Sequence, residues 1–526
     1  MKWLVLMTAV CLATTVIAQP EIETVSTDEN RALRVNDERF FPIMIWLQNP
    51  ENFPRAIDAG INTIAGYWPG SGDTEDVVEY LGLVEEAGLL GVMPWHEGLI
   101  GHPRLLGFIH DDEPDLSHTV SDATVTAAEH MRLNSSTPLS RIVDGVTHSW
   151  SVLDPMEGAE ITVELAEPAT IERIGVWLTI SEGLAVAREV GFVGDGEEIA
   201  RAELVAKKGR QEIGLEEPVT LQTLTMRVES AYPGENVWGS VGEVEGFNAA
   251  GENMLLSPPR EVPRQQPEET LSIYNAIKQA GAQRPVFMTL TARFADFSER
   301  WTDEQKQNLY PGYVQAADVV GFDVYPIYGW ARPDWIDRVH DATQQLVKLA
   351  GDRPVYAWIE TSKGSQWVSE ERQMDVTPEH IRNEVWQAIT AGATAIGYFT
   401  HIWKPAYSQF GVPDENVAMM RQVNGQITRL TPALLAPECT RKVGISLEGD
   451  LRADVLARQA EGGLYLFAVN YDPSATDGEA TISVEGLAAG TQIEVVDETR
   501  TLTADDGAFT DHFDALAVHI YRIEEQ

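Results

Sequence analysis

Between residue 40 and about residue 437, apolar and polar positions repeat in a fixed order. Each repeat has a short apolar run that predicts a buried strand, then a polar or aromatic tip, then a segment with helical periodicity. Several helical segments, such as DVVEYLGLVEEAG and TPEHIRNEVWQAITAG, close on Gly, as helix C-termini commonly do. Strands that are buried on both faces and alternate with helices predict a parallel sheet. The predicted strands are residues 40–46, 60–68, 88–96, 105–113, 284–294, 318–328, 353–363 and 393–403.

Eight such units predict a (β/α)8 TIM barrel whose spacing is interrupted once. Residues 117–268, after the fourth strand, are too long for a simple connection and contain short β-like pieces, so they predict an inserted β-sandwich. Without this insertion the barrel has about 250 residues, the usual size. It would be formed by residues 19–116 and 269–437. Alternating patterns over residues 438–526 predict a second, C-terminal β-sandwich.

Residues 1–18 have the pattern of a cleavable signal peptide. Lys2 precedes an apolar run, and small residues stand before Gln19. The run is too short for a stable membrane span, and no later stretch reaches about 18 apolar residues. We therefore expect an exported protein, secreted or periplasmic. Only Cys439 would remain after cleavage, which excludes an intramolecular disulfide.

The formal net charge of -43 at pH 7 indicates a strongly acidic surface. Such a surface repels nucleic acid, so we expect no nucleic-acid partner. It also disfavours a heavily sulfated or uronate-rich substrate, unless a local basic pocket overrides the average charge. The composition is otherwise that of a globular protein, with 44% hydrophobic residues.

The tips of the predicted strands are rich in carboxylates and aromatic residues, and catalytic groups in TIM barrels come from these tips. This combination favours sugar binding, with rings stacking on Trp and Tyr. Breaking a glycosidic bond also needs two carboxyl groups, for which Glu113 and Glu360 are the candidates. They lie 247 residues apart in sequence, which suits strands four and seven once the insertion is subtracted. The predicted substrate-binding residues are Asp112, Tyr325, Trp403, Trp358, Trp68, Trp95, His96, Asp323 and His401.

Short motifs at these tips resemble the clan A retaining glycoside hydrolases. HDDEP resembles the Asn-Glu-Pro element of that clan, and YAWIET resembles its strand-seven motif. The resemblance implies that Glu113 is the acid/base, that Glu360 is the nucleophile, and that a β-glycosidic bond is cleaved by double displacement without a cofactor. By position it gives Tyr325 a hydrogen bond to the nucleophile and makes Trp403 a sugar platform. The clan's Asn before the acid/base is Asp112 here.

The inserted segment resembles a discoidin-type (F5/8 type C) module, through LSRIVDGVTHSWSV and VWGSVGEVEGF. Modules of this type often hold a structural calcium ion, so the resemblance implies one here. It leaves open whether the module binds sugar or serves as a spacer or lid. We predict no metal at the barrel site, because His96 and His401 lack metal-ligand spacing.

The hypothesis is therefore an exported glycoside hydrolase acting on a poly- or oligosaccharide. The alternative is a catalytically silent barrel that binds carbohydrate or serves as a scaffold, which the Asp112 departure and the two accessory domains keep open. A third reading is a barrel that transfers sugars to acceptors other than water.

Overall fold

The computed structural model describes residue 19 and residues 21–449, 451–474 and 476–524. The predicted signal peptide, residues 1–18, lies outside the described residues. The chain forms two compact units, one of them residues 117–263 and the other the chain on either side of it. No helix in the described part of the chain is long and apolar enough to cross a membrane.

The unit outside the insertion contains a closed barrel of eight strands, all paired in parallel. This confirms the predicted TIM barrel. Each predicted strand exists, but its observed bounds are shorter because the flanking residues form turns. The barrel strands are β1 (Ile43–Trp46), β2 (Thr63–Ala65), β3 (Leu90–Pro94), β4 (Leu105–Ile109), β5 (Val286–Thr291), β6 (Val319–Asp323), β7 (Val355–Glu360) and β8 (Ala395–Phe399).

Helices follow most of the barrel strands, as the periodicity predicts. The connection between β3 and β4 differs, because it contains only a 3-10 turn (Glu97–Leu99). That connection is too short for a helix of two turns and the loops on both sides of it. The helices are α1 (Phe53–Asp58), α2 (Val77–Glu86), α3 (Pro267–Gln279), α4 (Asp303–Gln315), α5 (Arg338–Ala350), α6 (Pro378–Thr390) and α7 (Asp414–Leu434).

Aromatic rings from β7 fill the barrel interior. The Tyr356 hydroxyl lies 2.8 Å from Thr289 Oγ1, and the Trp358 indole N–H donates to the same oxygen at 3.1 Å. The neighbouring strands carry Gly321 and Gly397, where a Cβ atom would lie 2.2 Å from the rings of Tyr356 and Trp358 respectively. Glycine at these two positions therefore makes room for the rings.

The inserted unit is an antiparallel β structure around its own apolar core, in agreement with the predicted sandwich. Its longest strands bend at register shifts and change neighbours there, so each contributes to both layers. The unit ends at Pro263, whereas the sequence predicts a boundary at 268. Residues 264–268 lie with the barrel because the Arg264 N–H donates to Leu116 O at 2.8 Å. The main strands are Ala123–Ala127, Ser151–Leu153, Glu160–Leu178, Val186–Gly194, Glu197–Glu203, Gly209–Tyr232 and Gly239–Phe247, with Ser117–Val120 and Arg260–Pro263 paired at its base.

The C-terminal region is a second β-sandwich, as predicted, and it packs against the barrel helices. The Trp386 ring of α6 stacks on Phe467 with ring centroids 5.7 Å apart. One sheet contains Val443–Leu447, Gly478–Val484 and Ala508–Phe513, and the other contains Ala453–Ala460, Gly463–Asn470, Gln492–Val495, Arg500–Thr503 and Val518–Ile523.

Candidate active site

The segment after β4 carries the acids Asp112 and Glu113 to the C-terminal mouth of the barrel, where TIM-barrel active sites lie. Glu113 has a φ of 50°, a left-handed conformation that costs a non-glycine residue about 1 kcal/mol or more. Strain of this kind persists only when the surrounding structure holds it, and it is concentrated at functional sites.

Asp115 anchors this strained segment. Its buried carboxylate accepts hydrogen bonds from the Thr291 N–H at 2.8 Å, the Thr291 hydroxyl at 2.6 Å and the Tyr310 hydroxyl at 2.8 Å. Burial raises the pKa of Asp115 to about 6, while these hydrogen bonds act in the opposite direction. The backbone of the same segment is held by the Gln265 N–H, which donates to Pro114 O at 2.9 Å. The position of Glu113 is therefore fixed by its neighbours.

Three carboxyl groups meet at the mouth: Asp112 and Glu113 from the end of β4, and Asp323 from the end of β6. Asp112 is accessible where it faces the cavity, yet protein surrounds its carboxyl group, and this burial together with the charge of Glu113 raises its pKa to about 7. Burial and the charges of Glu113 and Asp112 raise the pKa of Asp323 well above its ordinary value. Asp323 is therefore the partner that holds the proton more tightly, and it donates a hydrogen bond to Glu113.

These acids border a cavity of 600 Å³ at the mouth. Its lining brings together seven of the predicted site residues, whose carboxyl, hydroxyl and aromatic groups suit sugar hydroxyls and sugar faces. Lys and Arg are absent from this lining. The predicted residues in it are Asp112, Glu113, Asp323, Tyr325, Trp68, His401 and Trp403, and the other lining side chains include Trp46, Asn49, Gln366, Trp367, Phe399, Tyr407 and Gln409.

A second cavity of 430 Å³ begins on the other side of the acids. Glu113, Asp323 and Tyr325 line both cavities, and Trp367 lines both as well. A third cavity of 310 Å³ shares Trp330 and Trp367 with the second. The shared residues make the three cavities adjacent, and the Glu113–Asp323 pair lies where the first meets the second. We refer to the three adjacent cavities together as the groove.

Stacked aromatic rings form one wall of the first cavity. Phe399 is at the centre of this wall. Its ring centroid lies 5.0 Å from that of Tyr325 and 6.1 Å from that of Trp403, and both rings stack on it. Trp403 in turn lies 6.4 Å from Trp367 and 5.7 Å from Tyr407. Flat apolar surfaces of this kind bind the C–H faces of sugar rings.

His401 belongs to this wall as a neutral imidazole. Its Nε2–H donates to Leu47 O at 2.9 Å, and burial lowers its pKa. Among the described residues, no group of three or more His, Cys, Asp or Glu side chains is arranged to hold a metal ion.

The structure does not bring Glu360 to the cavity, although the sequence predicts it as the nucleophile. The side chain is fully buried, and its two carboxylate oxygens accept hydrogen bonds from the Ile327 N–H at 2.9 Å and the Tyr328 N–H at 2.6 Å. Burial raises the pKa of Glu360 to about 7, against the effect of a hydrogen bond from Glu384 of α6. Burial and the charge of Glu360 raise the pKa of Glu384 well above its ordinary value, so Glu384 is the protonated partner. Glu360 thus fastens the loop after β6, and no substrate atom can reach it in this conformation.

Three predicted substrate contacts also lie away from the cavities. Trp358 is only 3% exposed and belongs to the barrel interior, where its ring meets Trp46 edge-on at 5.4 Å. Trp95 packs edge-on against Phe108 at 4.9 Å. The His96 ring accepts the Gly98 N–H at 3.1 Å and so caps the 3-10 turn before β4. A position at a strand tip does not fix the direction of the side chain, which is why these predictions differ from the structure.

Several cavity residues were not predicted from the sequence. Trp367 comes from the loop after β7, and Arg293 follows the last residues of β5. Arg293 stands at a strand tip, so the rule applied to the other strands would have found it. Trp367 follows the Glu360 motif in a loop that the sequence allows to cover the site, but loop residues have no periodic pattern that would fix the contact.

In the inserted unit, Asp144 and Glu243 have the chemistry of a calcium site. Glu243 is 1% exposed, and its carboxylate lies beside the Asp144 carboxylate and the Gly145 backbone. Burial, and the nearby Asp144, raise the pKa of Glu243 to about 8. Asp144 is held by the Val146 N–H at 2.7 Å and the Ser149 hydroxyl at 3.1 Å. Two neighbouring carboxylates that are partly withdrawn from solvent fit a hard divalent cation.

No protein-family model matches the sequence, and no curated protein matches it. Among solved structures, an α-amylase from Anoxybacillus matches with 12% identity and a TM-score of 0.36, over 50% of this chain and 57% of the amylase. An α-amylase from Geobacillus thermoleovorans in complex with acarbose matches with 14% identity and a TM-score of 0.35, over 50% of this chain and 58% of the amylase. A family 32 carbohydrate-binding module from Clostridium perfringens in complex with galactose has 13% identity and a TM-score of 0.20, over 24% of this chain and 97% of the module. At these scores the similarity assigns no function to the chain.

Proposed function

We propose that this protein hydrolyses glycosidic bonds in a poly- or oligosaccharide. The observation that carries the proposal is the hydrogen-bonded pair of Glu113 and Asp323 at the junction of two cavities. A sugar chain lying in the groove would place one of its glycosidic bonds beside this pair. One protonated and one ionised carboxyl group on either side of such a bond is the arrangement that glycoside hydrolysis needs.

In this mechanism Glu113 passes the shared proton to the leaving oxygen. A single hydrogen bond joins Glu113 to Asp323, so the proton can transfer between them when the substrate arrives. Asp323 then supplies the carboxylate that stabilises or attacks the anomeric carbon, the role that the sequence motif gave to Glu360. Asp112 lines only the first cavity and would accept a hydrogen bond from a sugar hydroxyl there. Tyr325 lines both cavities, next to the reacting carboxyl groups.

The β-configuration and the retaining outcome are supported by the strand-four motif. A retaining pair needs its carboxyl groups about 5 to 5.5 Å apart, so Glu113 and Asp323 have to separate when substrate enters between them. Proton NMR of the first anomer released distinguishes the outcomes. A product with the configuration of the substrate supports retention, and an inverted product contradicts it.

The test of the proposal is turnover on a panel of plant, algal and fungal glycans, with released sugars separated by chromatography. We expect Glu113→Gln and Asp323→Asn to lose at least about a hundredfold in kcat, the usual effect of removing an acid/base group. Asp111→Asn is the matched control, because this exposed acid is adjacent in sequence but lines neither cavity at the junction. Loss of turnover in Glu360→Gln, with wild-type stability, would return the nucleophile role to Glu360.

The burial of Glu360 favours the second candidate, a barrel that binds carbohydrate without cleaving it. This candidate predicts that the wild type turns over no glycan in the panel but binds one of them. In that case Glu113→Gln would alter affinity only.

We also propose that Asp144 and Glu243 hold a structural calcium ion in the inserted unit. Calcium should raise the melting temperature of the wild type after EDTA treatment, and Glu243→Gln should abolish that increase. An equal increase in the variant would contradict the assignment.

Export is tested separately, by N-terminal sequencing of the protein recovered outside the cytoplasm. We expect Gln19 to be the first residue.

A further inference from the structure

The second cavity has a charge pattern that the overall composition does not suggest. Two arginines, Arg293 and Arg338, line it beside Glu113 and Asp323. The chain as a whole has a net charge of -43, and the first cavity has neither Lys nor Arg in its lining. Positive charge at the mouth is therefore confined to one side of the reacting carboxyls.

Arg293 carries a positive charge that no described residue neutralises by an ion pair. It is half-buried in the turn that follows β5, and its Nη1 atom is shielded from solvent with no hydrogen-bond partner among the described residues. In the described part of the chain, no carboxylate forms a salt bridge with it. A shielded guanidinium N–H without an acceptor costs free energy, so an acceptor supplied by a ligand would be favourable.

Arg338, at the start of α5, faces the same cavity. Its guanidinium carbon lies 3.4 Å from the ring centroid of Trp335 and 4.7 Å from that of Phe297, which holds the group in place without neutralising it. The nearest acids are engaged elsewhere: Asp334 pairs with Arg332, and Asp337 pairs with Arg452. No salt bridge to Arg338 is found within the described residues.

We propose that the second cavity binds an anionic sugar residue, one that carries a carboxylate or a sulfate ester. This inference rests on the proposed function, because it treats the groove as the binding site for a sugar chain. Guanidinium groups bind carboxylate and sulfate oxygens through paired, charge-assisted hydrogen bonds. The first cavity would hold a neutral sugar residue, since its lining has acids but neither Lys nor Arg to pair with an anion. The bond cleaved would then join a neutral residue to an acidic one.

The aromatic residues extend this side of the groove. Trp330 and Trp367 line both the second and the third cavity, and Trp335 lines the third. Trp330 and Trp367 are exposed, at 40% and 58%. Exposed indole rings beside the two arginines offer stacking surfaces for the sugar residues that follow the acidic one.

The test measures binding by the Glu113→Gln variant, so that cleavage does not interfere, using tryptophan fluorescence and affinity electrophoresis. The ligands are matched pairs: oligosaccharides of a uronate-containing glycan and their carboxyl-reduced forms, and oligosaccharides of a sulfated galactan and their desulfated forms. We expect one anionic member to bind roughly tenfold more tightly than its neutral form in low salt, with the difference decreasing in 0.5 M NaCl. The pair that shows the preference identifies the carboxylate or the sulfate as the group bound.

Arg293→Gln and Arg338→Gln, each added to Glu113→Gln, should remove most of this preference for the anionic form. Arg421→Gln is the control for charge, because Arg421 of α7 pairs with Asp58 of α1 and lines none of the three cavities. Arg→Lys variants keep the charge and should show an intermediate preference, which provides a second set if a Gln variant does not fold. Equal binding of anionic and neutral forms, or an unchanged preference in the Arg variants, would overturn the inference.

The two proposals fail in different ways. Cleavage of a neutral glycan with no anionic preference rejects the acidic subsite and keeps the hydrolase. Arginine-dependent binding of an anionic glycan that the wild type never cleaves keeps the subsite and rejects the hydrolase. No binding of any ligand in the set rejects both.

Discussion

The carboxyl cluster at the end of β4 places like charges together, which costs folding free energy. Asp112 and Asp323 both have a pKa raised by burial and by neighbouring acids, to about 7 for Asp112. The ordinary value in an unfolded chain is about 3.9. A carboxyl group whose folded pKa lies above that value contributes stability at low pH and loses it as the pH rises toward the folded pKa. The cluster should therefore make the protein less stable at pH 7 than at pH 4.

Asp323→Asn should relieve this cost. The amide cannot ionise, yet it still donates a hydrogen bond to Glu113, so the variant should melt roughly 2 °C higher than the wild type at pH 8 while losing activity. Below about pH 3, under the unfolded pKa, Asp323 is protonated in both the folded and the unfolded protein, and the difference should disappear. Thermal unfolding at the two pH values, with Asp111→Asn as the exposed control, measures it. A lower melting temperature at pH 8 would contradict the assignment of like-charge repulsion.

The Glu360–Glu384 pair gives a matched set of substitutions. Glu384→Gln keeps a donor toward Glu360 and should change the free energy of unfolding by less than about 1 kcal/mol. Glu360→Gln turns an amide N–H toward the backbone N–H of Ile327 or Tyr328, and should cost about 1 to 3 kcal/mol. Urea denaturation at pH 7 compares the two variants. Equal effects would show that the loop after β6 does not depend on the Glu360 carboxylate.

At the scale of elements, α5 and the C-terminal sandwich are joined through a buried histidine. His340 Nε2 lies 2.9 Å from a carboxylate oxygen of Asp454, and its ring stacks on Tyr471 at 4.1 Å. Burial lowers the pKa of His340, but the nearby carboxylates of Asp341 and Asp454 outweigh this effect, and the pKa is raised above its ordinary value. Arg452 also faces this group and pairs with Asp341.

This contact should make the docking of α5 depend on pH. Because the folded pKa of His340 is raised, its contribution to stability is complete below the unfolded value of about 6.5 and is lost as the pH rises through the folded pKa. The wild type should therefore melt above His340→Gln at pH 5.5, by an amount that shrinks toward pH 9. Calorimetry across that range measures the difference, with His118→Gln as an exposed control. A constant difference would show that packing, and not charge, holds this junction.

At the scale of the whole molecule, the inserted unit begins and ends at one point of the barrel. Leu116 O accepts the Arg264 N–H at 2.8 Å, so the chain leaves and returns at adjacent residues. Deletion of residues 117–263, with a short glycine linker, should leave the rest of the chain folded with a cooperative unfolding transition. A deletion extended to residue 273 removes half of α3 and should prevent folding. Circular dichroism of both proteins tests the boundary, and loss of folding in the first would contradict it.

The sequence predicted the barrel well because apolar periodicity is local. Each of the eight strands has its own apolar run, and the insertion interrupts their spacing once. The same reasoning placed Asp112 and Glu113 at the mouth. It did not predict the burial of Trp358 and Glu360, because a pattern of residue types identifies a strand end without identifying which neighbours surround it.

What the sequence determined by itself is therefore the set of strands, the two additional β-sandwiches and the acids that follow β4. Only the tertiary structure decided how the acids are used. The loop after β6 and a glutamate of α6 enclose Glu360, while the end of β6 brings Asp323 to Glu113. The tertiary structure likewise placed Arg293 and Arg338 in one cavity, although they belong to different βα units. The physical reason is that burial, pKa and hydrogen bonding depend on groups far apart in the chain, which no local pattern records.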